Sequence, residues 1–152
     1  MIRSSLGFLA VSVVSFATLG FTLAQVPSAP AKPSGQHAAM MSCAKACSDC
    51  QRACDMCTTH CANQLESGKK EHLATLRSCQ DCAAICATAS QVVARGGPMS
   101  SVICKACAEA CAACAKQCET MPDDEHMKAC AKECRACEKE CRAMLEHAEH
   151  VK

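Results

Sequence analysis

Cysteines recur at alternating steps of three and four residues, and this spacing constrains the fold more than any other feature of the 152-residue sequence. The chain has eighteen cysteines. The run from Cys43 to Cys61 advances by 4, 3, 4, 3 and 4 residues, and the run from Cys104 to Cys118 by 3, 4, 3 and 4. Such alternation is typical of the face that an α-helix packs against partner helices. The sequence therefore predicts thiols at positions where Leu or Ile would normally fill a core.

Three breaks divide the cysteine-rich region into four helical segments. They fall at 67–70, 95–98 and 121–124, and each contains the Gly or Pro that commonly separates helices. The segments between them are rich in Ala, Lys, Glu, Gln and Arg, which favour helix. The second segment has only three cysteines, Cys79, Cys82 and Cys86. We predict an all-α fold, an up-down-up-down four-helix bundle with a cysteine-lined core over residues 40–150.

The N-terminal residues have the composition of a secretory signal. Arg3 precedes an apolar run from Leu6 to Leu23, and small residues precede Gln25. We predict a signal peptide at 1–24, a disordered Pro-rich tether at 25–39 and an exported protein, periplasmic or extracellular. An uncleaved membrane anchor is the alternative, since the apolar run is nearly long enough to span a bilayer.

Charge and composition argue against several classes of function. The chain has 16 Lys and Arg against 15 Asp and Glu, which gives no basic footprint for nucleic acid. The same balance argues against binding to an anionic membrane surface. No catalytic constellation stands out and no strand pattern accompanies the Cys-x-x-Cys steps, so we predict that the protein is not an enzyme.

The thiols could be joined by disulfides or could bind metal. Neighbours along one helix have Cβ atoms about 5–6 Å apart, beyond the roughly 3.5–4.5 Å of a disulfide. Two sulfurs that share one ion can lie about 4.6 Å apart, given metal–sulfur bonds of roughly 2.3 Å. We therefore predict metal ligation by all eighteen thiols: Cys43, Cys47, Cys50, Cys54, Cys57, Cys61, Cys79, Cys82, Cys86, Cys104, Cys107, Cys111, Cys114, Cys118, Cys130, Cys134, Cys137 and Cys141.

Methionines at the ends of the cysteine runs favour copper. Met40, Met121, Met127 and Met144 each lie three residues beyond a terminal cysteine. Thiolate and thioether together select Cu(I), whereas thiolates alone also suit zinc. We predict multiple Cu(I) ions, roughly one per cysteine, with protons released on binding. Zinc or another soft metal, or a disulfide-stabilised exported helical protein, are the alternatives.

One end of the predicted bundle carries additional soft donors. The up-down-up-down order brings His60, His72 and His126 to the same end as Met121 and Met127. We predict that copper is taken up at this end, named here the histidine end. The opposite end is predicted to be plugged by apolar side chains together with two methionines: Val92, Val93, Val102, Ile103, Leu145, Met40 and Met144.

The sequence resembles the copper storage proteins, a family of four-helix bundle copper-binding proteins. The resemblance covers residues 40–149 and depends on the segments SCAKACSDCQRACDMCTTHC, SCQDCAAIC, CKACAEACAACAKQC and ACAKECRACEKEC. It implies a lumen that stores Cu(I) on cysteines, often in a tetramer. It also implies a copper enzyme or copper chaperone as partner, or protection from free copper.

Overall fold

The computed structural model describes residues 35–149, which form four α-helices. They are α1 (Gly35–Glu66), α2 (His72–Ala94), α3 (Ser100–Cys118) and α4 (Glu125–Glu149). These residues contain no strand. The predicted all-α class and number of helices are confirmed.

The helices form a ring in which sequence neighbours pack side by side. Helix α1 packs against α2 and α4, and α3 packs against the same two helices. Cys43, near the start of α1, contacts Cys141 near the end of α4, whereas Cys54 contacts Cys130 near the start of α4. The two helices therefore run antiparallel, and the ring encloses one lumen into which all four helices project cysteines.

Short turns close the ring. Gly68 and Gly96 follow α1 and α2 with φ of 85° and 60°, a left-handed conformation that residues with a Cβ rarely adopt. Asp124 caps α4, because its Oδ1 accepts hydrogen bonds from the backbone N–H groups of His126 (2.9 Å) and Met127 (3.2 Å).

The core consists mainly of cysteine and alanine. All eighteen cysteines are buried. Among the buried apolar residues, the larger side chains are those of Val93, Met127 and Met144. A core of such small side chains buries little apolar area per residue. Hydrophobic burial alone therefore supplies less stability here than in a leucine-rich bundle of the same length.

Helix α1 begins at Gly35, inside the range predicted as tether. Residues 35–39 are helical, so the helix starts five residues before the predicted boundary at residue 40. The predicted signal peptide or membrane anchor at 1–24 and tether residues 25–34 lie outside the described residues. Among residues 35–149, no helix has the length and apolar character needed to cross a membrane.

Candidate metal centre

The cysteine thiols form a continuous column along the bundle axis. All eighteen are free thiols. Neighbouring sulfurs on different helices lie 3.4 Å apart for Cys43 and Cys104, 3.5 Å for Cys86 and Cys111, and 4.0 Å for Cys54 and Cys114. The heptad spacing of the sequence produces this column, since successive turns of α1, α3 and α4 and the middle of α2 contribute inward thiols.

Groups of four thiols lie close enough to share a metal ion. Within each group, all the sulfurs lie within 4.8 Å of one another. Among the five groups given below, Cys50, Cys54, Cys82, Cys130 and Cys134 each belong to two, so adjacent groups are linked rather than separate. Five of the groups are Cys47/Cys107/Cys137/Cys141, Cys50/Cys82/Cys86/Cys111, Cys50/Cys54/Cys82/Cys134, Cys54/Cys114/Cys130/Cys134 and Cys57/Cys79/Cys118/Cys130.

These separations fit metal ligation with little movement of the helices. Three sulfurs around one ion, each at roughly 2.3 Å, lie about 4.0 Å from each other. The contacts of 3.4–4.0 Å between Cys43 and Cys104 and between Cys54 and Cys114 are already close to that value. A disulfide would need the sulfurs at about 2.05 Å. The column is therefore arranged for ions that bridge thiols from different helices.

Burial and mutual contact make ionisation of the whole column unfavourable. Burial is the main cause that raises the pKa of Cys61 to about 12. At the other end, contact with Cys141 favours the Cys104 thiolate, but contact with Cys43 and burial outweigh it and raise the pKa of Cys104 to about 12. In the middle, the hydrogen bond with Cys111 lowers the pKa of Cys82 to about 6. Bound cations would neutralise thiolates that cannot otherwise coexist in this core.

Three histidines come together at the histidine end and form what is termed here the histidine layer. The ring of His60 stacks on that of His126 with centroids 4.2 Å apart, and it meets His72 edge-on at 5.8 Å. His60 Nε2 lies 2.8 Å from Asp124 Oδ2, which ties α1 to the start of α4. His72 is 4% exposed and its Nδ1 has no hydrogen-bond partner within residues 35–149.

The two methionines predicted for this end also lie there, and Met121 lines a surface groove together with His72. Met127 is fully buried, and its Sδ lies 3.8 Å from Cys57 Sγ. Met121 is half-buried against the core. The structure thus brings together every side chain that the sequence placed at this end.

The opposite end is closed, but not by all the predicted residues. Val93 and Met144 are buried, and Val92, Ile103 and Leu145 are half-buried. Met40 is half-buried, with its Cε 3.1 Å from where a Cβ on Gly96 would lie, so the glycine leaves room for the thioether. The prediction that Val102 helps to plug this end is wrong, because its side chain is exposed. The inward position one helical turn before Cys104 is taken by Ser100 instead, which is buried.

Sequence reasoning missed one lumen residue, Thr75. Its side chain is fully buried, and its Oγ1 has no hydrogen-bond partner within the described residues. A step of four back from Cys79 reaches Thr75, and a further step of three reaches His72, so the cysteine periodicity itself would have found it. Helix α2 therefore lines the lumen along its length, with a hydroxyl where the other helices present a thiol.

Both the sequence and the structure of this chain are similar to those of known proteins. The family model described as "Copper storage protein" matches residues 36–146. The solved structure of Cu(I)-bound copper storage protein BsCsp3 is 38% identical with a TM-score of 0.64, over 70% of this chain and 98% of that one. A cytosolic copper storage protein from Streptomyces lividans, solved with five coppers, is 29% identical with a TM-score of 0.67, over 73% and 95%. The cysteine-rich protein YhjQ of Bacillus subtilis is 39% identical over 77 residues, which is 50% of this chain and 68% of YhjQ.

The comparison corrects the predicted location. The similar Streptomyces lividans protein is described as cytosolic, which contradicts the exported, periplasmic or extracellular location predicted from residues 1–24. That prediction depended on an apolar run outside the described residues, and no feature of the bundle supports it.

Proposed function

Since the chain belongs to the copper storage protein family, we propose that it stores or sequesters multiple Cu(I) ions on its lumen cysteines, roughly one ion per thiolate. The observation that carries this proposal is the column of eighteen buried free thiols. The interior that most bundles fill with leucine is here a continuous set of soft ligands. Its function is therefore binding of cargo and not catalysis.

Charge balance favours Cu(I) over Zn²⁺ in this lumen. A tetrahedral Zn²⁺ site made of four thiolates retains a net double negative charge. Several such sites stacked in a dry core would each carry a large desolvation cost. One Cu⁺ for each thiolate leaves the column neutral. The thioether of Met127, 3.8 Å from Cys57 Sγ, adds a ligand type that copper accepts and zinc rarely uses.

The histidine end is the proposed site of copper uptake. Two surface grooves include cysteines in their linings, and both lie near this end: one includes Cys57 and Cys130, the other Cys118 and Met121. Imidazole and thioether groups here would bind Cu(I) weakly and pass it to the thiols. Met40 and Met144 would complete the ligand set at the closed end.

Assembly and partners follow from the family resemblance. A homo-oligomer, with a tetramer as the expected form, and a copper chaperone or copper enzyme as exchange partner are our proposals. All eighteen cysteines are buried inside a single bundle, so the proposed copper sites lie within one chain. Storage would therefore not require a second copy of the chain.

Anaerobic titration of the reduced protein with Cu(I), against a competing chelator, tests storage. We expect tight binding of well over about ten ions, as one thiolate per ion implies. A plateau at two or three ions would overturn the proposal.

The uptake end is tested by replacing His60, His72, Met121, His126 and Met127 together and timing uptake. The matched control replaces Met40 and Met144 with Leu at the other end. Unchanged rate and capacity in the fivefold variant would refute the histidine end.

A further inference from the structure

A groove on the side of the bundle, between α1 and α4, combines exposed and buried soft donors. It has a volume of about 290 Å³, and the part of its lining that matters here comprises Ala53, Met56, Cys57, His126, Ala129 and Cys130. We name it the lateral groove. We propose that it is the Cu(I) exchange site, at which an ion from a thiol-ligated donor binds first to Met56 and His126 and then passes sideways to Cys57 and Cys130. This inference rests on the proposed storage function and specifies its route.

Met56 lies at the surface and not in the core. Its side chain is 65% exposed, although a methionine buried in a core is the ordinary use of the residue. It lies outside the cysteine periodicity, next to Cys57, whose own sulfur faces the lumen and is 2% exposed. Two consecutive residues of α1 thus place one sulfur outside the bundle and one inside it.

Three imidazole rings pack against one another at the histidine end. His60 is held by Asp124 at 2.8 Å and covered by His126 at a centroid distance of 4.2 Å. His72 fills the space beside them and is almost fully buried. His126 is the exposed member of the layer and also lines the lateral groove. An imidazole at the surface therefore faces the same groove as the Met56 thioether.

Small side chains flank the two cysteines that line the lateral groove. Ala53 and Ala129 stand on opposite walls, on α1 and α4, and neither has atoms beyond Cβ. Cys130 is 1% exposed, and with Cys57 it belongs to one four-thiol group. An ion that leaves Met56 and His126 thus meets thiols after a small displacement of side chains.

The transfer exchanges ligands without a change in oxidation state. Cu(I) remains Cu(I) throughout, while bonds to the donor's thiolates break and bonds to Cys57 and Cys130 form. Each cysteine releases its proton as its sulfur binds copper, and each released donor thiolate takes up a proton at neutral pH. The proton balance of the exchange is therefore close to zero when the donor is a thiol complex.

Met56→Leu tests the thioether directly, because it removes the sulfur and keeps an apolar side chain of similar size. Met99→Leu is the matched control, since Met99 is similarly exposed but lies at the opposite end, before α3. Uptake from a Cu(I)–glutathione complex is followed anaerobically by the ultraviolet absorbance of Cu–thiolate bonds. We expect Met56→Leu to slow uptake about tenfold, with final capacity unchanged. Met99→Leu should load like the unmodified protein. Equal rates for both variants would overturn the role of Met56.

A second pair of variants tests the route without touching a sulfur or an imidazole. Ala129→Phe fills the lateral groove, whereas Ala136→Phe places the same side chain one heptad later on the exposed face of α4. Slow uptake in Ala129→Phe, with normal uptake in Ala136→Phe, supports the lateral route. Equal uptake rates in Ala129→Phe and Ala136→Phe overturn the lateral route. Slow uptake in Ala129→Phe together with normal uptake in Met56→Leu overturns the role of the Met56 thioether as a ligand. If the unmodified protein itself binds only two or three ions, the storage proposal fails first.

Discussion

Cys43 Sγ lies 3.4 Å from Cys104 Sγ, although α1 and α3 stand diagonally across the bundle. Thiols from opposite helices therefore meet on the axis at the end away from the histidines. Cys141 completes the contact, 3.5 Å from Cys43. The three sulfurs form a site that an ion would reach last if copper is taken up at the other end.

The double variant Cys43→Ser/Cys104→Ser should reduce copper capacity without slowing uptake. Serine hydroxyls are poor ligands for Cu(I), so we expect a loss of about two ions from the closed end. Capacity is measured by anaerobic titration and the rate by Cu–thiolate absorbance. The matched variant Cys57→Ser/Cys130→Ser should lose a similar number of ions and also load more slowly. Full capacity in the first variant would contradict ligation by these thiols.

Copper loading should stabilise the bundle strongly. The reduced apo core is mainly cysteine and alanine, with Met127 and Val93 among its few fully buried larger side chains. Each ion held at about a thousand times its Kd adds about 4 kcal/mol. In a domain of about 150 residues, 1 kcal/mol raises the Tm by about 2–4 °C. Since several ions bind, we expect an increase of more than about 20 °C. Calorimetry of reduced apo and Cu(I)-loaded protein under argon measures it. Saturating Zn²⁺ should produce a smaller increase, and an equal one would favour zinc.

The cysteine spacing predicted the core because a heptad fixes which face of a helix is buried. It did not fix where helices begin, so α1 extends to Gly35 inside the range predicted as tether. The spacing of the cysteines alone also leaves the other inward residues unidentified. The apolar character of Val102 predicts that it lies at the closed end. The heptad register, however, passes through Ser100 and leaves Val102 exposed. The same register through Cys79 would have identified Thr75.

The histidine layer shows what spacing cannot supply. Topology placed His60, His72 and His126 at one end, and the structure brings them together there. The stacking of His60 on His126 and the contact with Asp124 depend on the turn before α4, where Asp124 is both helix cap and partner of His60. Met56 lies off the cysteine periodicity, so the spacing assigns it no role. A surface groove between two helices has no signature along a single helix.

The stability of the reduced apo protein should fall as the pH rises above about 9. The folded-state pKa values of Cys61 and Cys104 are raised to about 12 from an ordinary value of 9.0. A raised pKa means that the folded state retains protons that the unfolded state releases. The stabilisation is therefore complete below pH 9 and is lost progressively toward pH 12. Cys82, with its pKa lowered to about 6, is ionised in the folded state over this whole range. In the unfolded state it ionises around its ordinary value of 9.0, so its own contribution to the pH dependence ends above that pH.

Urea unfolding of reduced apo protein at several pH values from 8 to 10.5 measures this dependence. The Cu(I)-loaded protein is the control, since sulfurs that bind copper carry no proton to lose. Its unfolding midpoint should stay nearly constant while that of the apo protein falls. A midpoint of the apo protein that rises with pH would contradict the raised thiol pKa values.

Thr75→Cys should add a copper ligand to α2. Thr75 is fully buried in the cysteine register, one step of four before Cys79, and its hydroxyl has no partner among the described residues. A thiol there would join the group that contains Cys79, near the histidine end. Removal of an unpaired buried hydroxyl also recovers on the order of 1 kcal/mol of stability. We therefore expect capacity to rise by about one tightly bound ion and stability to stay level or increase. The control is Thr88→Cys on the exposed face of the same helix, where Thr88 Oγ1 bonds Ala84 O at 3.0 Å. That thiol should react readily with a disulfide reagent and add no tightly bound copper. Equal capacity in the two variants would show that the inward position of Thr75 does not extend the thiol column.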